Sequence, residues 1–151
     1  MKCLSVSQPF ANLIISEKKT IELRNWNTNF RGEFLIHSPL KIKIENSKKL
    51  KIKKKFIIGA IIGKSQLYNV KQYNSIKEIK SDQKFHFTSK KFQNETFGFM
   101  LKNTKSLRIP IPWKGQLGFF DVNIPKTKIK NKEIVLDIID EEYRYQWIGH
   151  H

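Results

Sequence analysis

The order of apolar and polar positions along this chain is typical of a protein built mainly from short strands. Apolar and polar residues alternate at 20–25, which predicts a strand with one buried face. Residues 33–37 predict a second strand, and the Ser-Pro pair that follows would end it. Residues 56–63 form a short β-branched apolar run, as expected of a central strand. Further strands are predicted at 96–102, 105–109 and 117–122.

Helical spacing is limited to two places. Phe10, Leu13 and Ile14 lie at helical spacing after a Ser-Gln-Pro entry, which predicts a short helix ending near residue 18 or 19. Residues 68–95 are polar and lysine-rich, and they predict a long connection that carries a short helix around 74–80. The predicted fold class is therefore mostly β (α+β), as a small β-barrel with one or two short helices packed at its rim.

The organisation of the chain predicts a single domain. Its 151 residues suit one domain, and no linker divides them. We assign residues 1–124 to that domain and residues 125–151 to a C-terminal extension that packs on the barrel or trails from it. The final residues, His150 and His151, resemble the remnant of a purification tag and take no part in the functional argument.

Composition excludes several classes of protein. Hydrophobic residues make up 39% of the chain, with 11 Phe, 4 Tyr and 3 Trp, which supports a packed core rather than disorder. No apolar run approaches the ~18–20 residues that span a bilayer, so no membrane association is expected. The one cysteine, Cys3, excludes an internal disulfide and a thiolate zinc cluster. We therefore expect a cytoplasmic protein with no metal and no cofactor. The sequence leaves the oligomeric state open, with a monomer as the default expectation.

The formal net charge of +16 suggests a nucleic-acid partner, because a basic surface attracts phosphates. Only four of the 29 basic residues are arginine, and lysine drift in an A+T-rich genome would explain part of the excess. Residues 41–55 hold eight lysines and one glutamate. They are either a phosphate-tracking arm or a solvated loop or helix.

The strongest candidate site lies at residues 19–26. In an extended strand, Glu22, Arg24 and Trp26 would share the face opposite the apolar residues between them, with Lys19 just upstream. Arginine supplies a planar, bidentate fork for a phosphate or a base edge, and Glu22 would accept hydrogen from a base amine. The alternative is a solvated strand face with an internal ion pair.

Other candidates lie outside that strand. Trp113 stands in a proline-bounded loop beside Lys114 and Gly115, where an indole next to a cation suits nucleotide stacking. Ser7 and Gln8, at the start of the first helix, would either contact a ligand or cap the helix. The remaining candidate is Arg31, which lies close to Arg24 in the sequence.

Several short motifs occur in an order that is specific as a set: Leu4–Ala11, Lys19–Trp26 with its Lys-x-x-Glu-x-Arg core, Thr28–His37, Gly59–Gly63, Phe97–Phe99 and Lys114–Phe120. With them the chain resembles the ASCH domain family, a branch of the PUA-like superfamily, over about residues 3–124. The resemblance implies a β-barrel with a cleft between the opening helix and the rim, of a kind associated with RNA and modified bases. The partner that it implies is RNA, a nucleotide or a nucleoside, with single-stranded nucleic acid among the candidates.

The same resemblance implies an alternative activity, because some ASCH proteins are enzymes. One type is an amidohydrolase that removes an acyl group from cytidine, and another is a ribonuclease. The amidohydrolase uses a lysine, a threonine and a distant glutamate; Lys19 matches the lysine, and Glu22 stands in the position of the threonine. If the protein is an enzyme, Lys19 and Glu22 are the catalytic candidates. Otherwise the cleft holds a base or a phosphate without turnover.

Overall fold

A computed structural model describes residues 1–41, 56–89 and 95–124, and over these ranges the fold is mostly β with short helices. The lysine-rich part of 42–55 and the extension 125–151 lie outside the described residues. Along the chain the strands are β1 (Lys2–Ser5), β2 (Ile21–Arg24), β3 (Gly32–Ser38), β4 (Ala60–Tyr73), β5 (Thr96–Pro112) and β6 (Phe119–Asp121). The helices are α1 (Phe10–Ile15), α2 (Ile76–Ser81) and α3 (Gln83–His86).

The strands form one six-stranded sheet in the order β2-β5-β4-β3-β1-β6. All neighbours are antiparallel except β1 and β3, which run parallel. In that parallel pair Ser5 lies opposite His37, close to the carboxyl ends of both strands. Two side chains that are 32 residues apart in the sequence are thereby brought together.

The predicted closure of the sheet into a barrel is not confirmed. The described strands end at β2 on one side and at β6 on the other, without backbone pairing between these two. Side chains make the connection instead: Trp26, just after β2, lies edge-on to Phe119 of β6 with 5.9 Å between ring centroids. Arg24 of β2 also donates from Nη2 to the Ser5 carbonyl of β1 at 2.8 Å. The sheet is strongly curved, and its two ends meet through these contacts.

The central hairpin is longer than the sequence pattern predicts. β4 continues to Tyr73, through residues assigned to a connection, and β5 runs unbroken through 96–112 where two strands were predicted. The two strands pair from Ala60 opposite Pro112 to Tyr73 opposite Thr96. Backbone pairing therefore holds polar residues in a strand beyond the core, where no apolar alternation marks them.

The helices and β1 differ from expectation in smaller ways. α2, at Ile76–Ser81, confirms the helix predicted around 74–80, and the Ser75 hydroxyl caps it by accepting from the Glu78 amide. α1 ends at Ile15, earlier than predicted, and Glu17 just beyond it adopts a left-handed φ of 64°. β1 has only four residues and was not predicted from the sequence.

The core lies between α1 and the concave side of the sheet. α1 buries Phe10, Ala11, Leu13 and Ile14 there. A second apolar cluster, which includes Cys3 and Leu107, fills the space near β6. None of the helices in the described ranges has the length and apolar character that crossing a membrane requires.

Candidate functional site

A cavity of about 960 Å³ opens beside the ends of β1, β2 and β3, under the segment that joins β5 to β6. We call it the Arg24 cavity. Of the side chains predicted to bind a ligand, half line it: Ser7, Arg24, Trp113, Lys114 and Gly115. The other lining residues are Ser5, His37, Pro39, Leu40, Lys41, Gly59, Pro112, Gln116, Leu117 and Gly118.

Arg24 supplies the cationic group in the wall of the cavity. Its Nε donates to Glu22 Oε2 at 3.0 Å, and its Nη2 donates to the Ser5 carbonyl at 2.8 Å. These two bonds fix the plane of the guanidinium, whose side chain is 20% exposed. Among the described residues Nη1 makes no hydrogen bond, so this donor can serve an anionic or carbonyl group in the cavity.

Lys19 and Glu22 are placed differently from the expectation that they face a ligand. Lys19 is 1% exposed and Glu22 is 7% exposed, and neither lines the cavity. Lys19 Nζ lies 3.2 Å from Glu22 Oε1 and donates to the carbonyls of Ile21 and His86. Glu22 Oε2 lies 2.7 Å from Arg24 Nη2, so the carboxylate is held between two cations.

The electrostatics of this buried triad oppose a role in proton transfer. Burial by itself would raise the pKa of Glu22, but the charges of Arg24 and then Lys19 outweigh it and hold the pKa below its usual value. A carboxylate that stays ionised at neutral pH is a poor general base. The triad instead fixes Arg24 in the orientation that the cavity wall requires.

Gln8 also has a structural position. It is fully buried, its Nε2 donates to the Ile57 carbonyl at 3.1 Å, and its Oε1 accepts from the Asn12 amide at 2.9 Å. Gln8 therefore ties the first turn of α1 to the segment before β4, in agreement with the capping alternative. Ser7, one residue earlier, does reach the cavity.

Trp26 and Arg31 lie away from the cavity. Trp26 packs edge-on against Phe99 and Phe119, with ring centroids 5.2 Å and 5.9 Å away, so its half-buried indole packs against the core. Arg31 is exposed, and its Nη1 donates to the carbonyls of Thr28 and Phe30. Arg31 thereby stabilises the turn between β2 and β3.

The loop from Trp113 to Gly118 forms the outer wall of the cavity. Trp113 is half-buried, while Lys114 is exposed at the rim. Leu117, at the tip of the loop, is 99% exposed, and Leu40 on the opposite rim is also exposed. A wall with an indole and two exposed leucines suits a ligand that has an apolar face, and the cations suit one that carries negative charge.

Gly115 is required where this loop crosses β1 and β3. A Cβ atom at this position would lie 2.6 Å from Ser5 Oγ and 2.7 Å from His37 Cε1, both closer than van der Waals contact allows. Only glycine lets the loop pass this close to the two side chains. Gly115 therefore allows the loop to lie against β1 and β3 at the cavity.

We expect Gly115→Ala to displace the loop and to lower the free energy of unfolding by about 1–3 kcal/mol, the usual range for overpacking. Urea denaturation would measure the loss. A variant as stable as the unchanged protein would contradict the close approach of the loop to Ser5 and His37.

Sequence reasoning missed the pairing of Ser5 with His37 in the cavity wall. Their Oγ and Nδ1 atoms are 2.9 Å apart, and His37 Nε2 lies 2.7 Å from the Trp113 carbonyl oxygen. Burial lowers the pKa of His37, and the bond to Trp113 opposes that shift only in part. The apolar residues of β3 signalled a strand, but nothing in the sequence signals its parallel pairing with β1.

Metal binding finds no support in the described ranges, where no three His, Cys, Asp or Glu side chains lie close enough together to hold an ion. The arrangement is suited to holding an anionic, partly apolar molecule by a fixed guanidinium, an indole and a rim lysine.

Comparison with known proteins gives a consistent result. The family model described as the ASCH domain matches residues 4–123. The crystal structure of ASCH from Zymomonas mobilis is similar to this chain, with a TM-score of 0.62, 15% sequence identity, and coverage of 84% of this chain and 90% of that one.

Two variants of that Zymomonas mobilis protein, a serine-to-alanine and a tyrosine-to-phenylalanine mutant, give similar values. Each has a TM-score of 0.61 and 16% sequence identity, and each match covers 84% of this chain. The matches cover 91% and 93% of the two variants' own chains, respectively. Because the sequence identity is this low, the similarity shows only that the fold is shared. No curated protein matches the chain.

Proposed function

This chain belongs to the ASCH domain family, and on that premise we propose that it binds RNA or a nucleotide-like ligand in the Arg24 cavity. ASCH domains have a PUA-like fold, which is often linked to RNA binding. The observation that carries the proposal is the position of Arg24, whose guanidinium is fixed by Glu22 and by the Ser5 carbonyl and faces a cavity large enough for a nucleotide.

Each part of the ligand would meet a suitable group. A phosphate or a carbonyl edge would accept from Arg24 Nη1, and the exposed Lys114 at the rim would add attraction for the backbone. The base would lie against the indole of Trp113, since stacking on an aromatic ring contributes about 1–3 kcal/mol per base. The net charge of +16 would strengthen binding at low salt.

The alternative in which Lys19 and Glu22 act as catalytic residues receives less support. Both side chains are buried, they are paired with each other, and they lie outside the lining of the cavity. In this proposal they orient Arg24 and do not touch the ligand. Of the residues predicted to form the cleft, this proposal keeps Arg24 and the loop at 113–115 as ligand contacts.

We expect Trp113→Ala to weaken the affinity for single-stranded RNA by about 5- to 150-fold, the equivalent of one lost stacking contact of about 1–3 kcal/mol. Fluorescence anisotropy with a labelled RNA of about ten nucleotides at low salt would measure it. Lys114→Ala should weaken binding less and reduce its salt dependence, because it removes one phosphate contact.

The matched control is Lys77→Ala, which removes an exposed lysine of α2, outside the cavity lining. It changes the net charge as Lys114→Ala does, so a purely nonspecific attraction would be affected equally by both. Equal effects, or undetectable RNA affinity at low salt, would contradict the proposal.

A further inference from the structure

The pairing of Ser5 with His37 is not used by the proposed binding function. We propose that Ser5 is a nucleophile activated by His37, and that the Arg24 cavity hydrolyses carboxylic esters with an apolar acyl group. This activity goes beyond the proposed binding of RNA or a nucleotide, and it does not depend on it.

The hydrogen bonds settle which nitrogen of His37 is the base. His37 Nε2 lies 2.7 Å from the Trp113 carbonyl oxygen, and a carbonyl only accepts, so Nε2 carries the proton in the neutral ring. Nδ1 then has a lone pair, and it accepts from the Ser5 hydroxyl at 2.9 Å. A nucleophile, a base and a third group that orients the base are the parts that nucleophilic catalysis by serine needs.

The surroundings suit each member of the pair. His37 is 1% exposed, and burial lowers its pKa, so the ring stays neutral and able to accept a proton at physiological pH. Ser5 is only half-buried and lines the cavity, where a substrate can reach it. The base therefore stands behind the nucleophile, away from water.

The neighbours of Ser5 supply the remaining elements. Arg24 is bonded to the Ser5 carbonyl, and its Nη1 makes no hydrogen bond among the described residues, so its charge can stabilise a developing oxyanion in the cavity. Because Gly115 has no side chain, the loop passes close to Ser5 Oγ and the His37 ring without placing a Cβ atom against them. Leu40, Trp113 and Leu117 form an apolar wall for the acyl chain.

In the first half of the reaction Ser5 Oγ attacks the ester carbonyl carbon while its proton passes to His37 Nδ1. The tetrahedral intermediate then collapses, the C–O bond to the alcohol breaks, and the alcohol leaves with the proton from His37. In the second half a water gives a proton to His37 Nδ1 and attacks the carbonyl carbon of the acyl-serine. The bond from that carbon to Ser5 Oγ then breaks, His37 returns the proton to Oγ, and the carboxylic acid is released. Because a backbone carbonyl and not a carboxylate orients His37, we expect slow turnover.

The test uses the full chain with a fluorophosphonate probe, in which the attack of an activated serine on phosphorus displaces fluoride. Intact mass should increase by one adduct per chain, and peptide mapping should place the adduct on Ser5. Ser5→Ala should lose the adduct, while Ser81→Ala, which changes an exposed serine of α2, should keep it. Cys3 will not compete, since burial raises the pKa of its thiol to about 12.

The role of His37 is tested by the rate of release of p-nitrophenol from its butyrate ester. His37→Gln should slow the release about 100-fold or more, the usual contribution of a general base. For the unchanged protein the rate should be constant from pH 8 down to below the usual pKa of histidine.

No adduct on the unchanged protein, an adduct mapped to another residue, or an unchanged rate in His37→Gln would each overturn the proposal. Peptide mapping of the adduct on the unchanged protein tests the proposal even if a variant fails to fold. RNA affinity of Ser5→Ala is measured separately, so the loss of one function does not imply the loss of the other.

Discussion

Replacing Lys19 by methionine is expected to lower the free energy of unfolding by about 3–5 kcal/mol, the usual cost of breaking a buried ion pair by removing one partner. The substitution leaves Glu22 7% exposed with Arg24 as its remaining partner in the triad. It also removes the donor that bonds the carbonyls of Ile21 and His86. The His86 contact joins α3 to the start of β2, so we expect this region to loosen first.

Urea denaturation of Lys19→Met would measure this loss, and Lys77→Met, an exposed change of the same kind on α2, is its control. A loss of less than about 1 kcal/mol, within the range for surface ion pairs, would contradict the buried triad. At temperatures where Lys19→Met stays folded, RNA affinity should fall only modestly, because Arg24 keeps its bonds to Glu22 and to the Ser5 carbonyl. A complete loss of affinity with stability unchanged would restore Lys19 as a ligand-binding residue.

Replacing Trp26 by alanine is expected to lower the free energy of unfolding by about 2–4 kcal/mol, near the range for removing a large aromatic side chain from a core. Its indole lies edge-on to Phe99 and Phe119, and aromatic pairs of this kind add to the energy of burial. The substitution should also weaken the connection between the two ends of the sheet, because the Trp26–Phe119 contact joins them.

The matched comparison is Trp113→Ala, which removes the other described indole. Trp26→Ala should affect stability more than affinity. Trp113→Ala also removes packing, against the second apolar cluster, but it should reduce affinity more than Trp26→Ala does. Thermal unfolding and RNA anisotropy on both variants give four values. If Trp26→Ala leaves stability intact and abolishes RNA binding, then Trp26 is the stacking residue and the Arg24 cavity is the wrong site.

The sequence predicts contacts between neighbouring residues better than contacts between residues that are far apart along the chain, and this site contains both kinds. Arg24 lines the same cavity as the loop at 113–115, and its part in binding a ligand stays a prediction. Local spacing does not predict the burial of Lys19, because its partner carbonyl at His86 lies 67 residues away in α3. Neither Lys19 nor Glu22 lines the Arg24 cavity, and contact of either side chain with a ligand stays a prediction.

The same limit applies to the fold. Short strands such as β3 are predicted by their apolar residues, but the polar half of β4 is held by pairing with β5 and carries no hydrophobic signal. The parallel pairing of β1 with β3 is invisible in the sequence, so the meeting of Ser5 and His37 was not predicted. The division into 1–124 and 125–151 and the cytoplasmic location stay predictions.

The most direct test of the central claim is a titration of the isotope-labelled protein with single-stranded RNA at low salt, followed by backbone amide NMR. The Arg24 cavity predicts that the largest shifts occur at Ser5, at Ser7 and along the loop from Trp113 to Gly118, with small shifts in α2. Shifts confined to α2 and the far end of the β4–β5 hairpin, or no shifts at all, would show that this cavity does not hold the ligand.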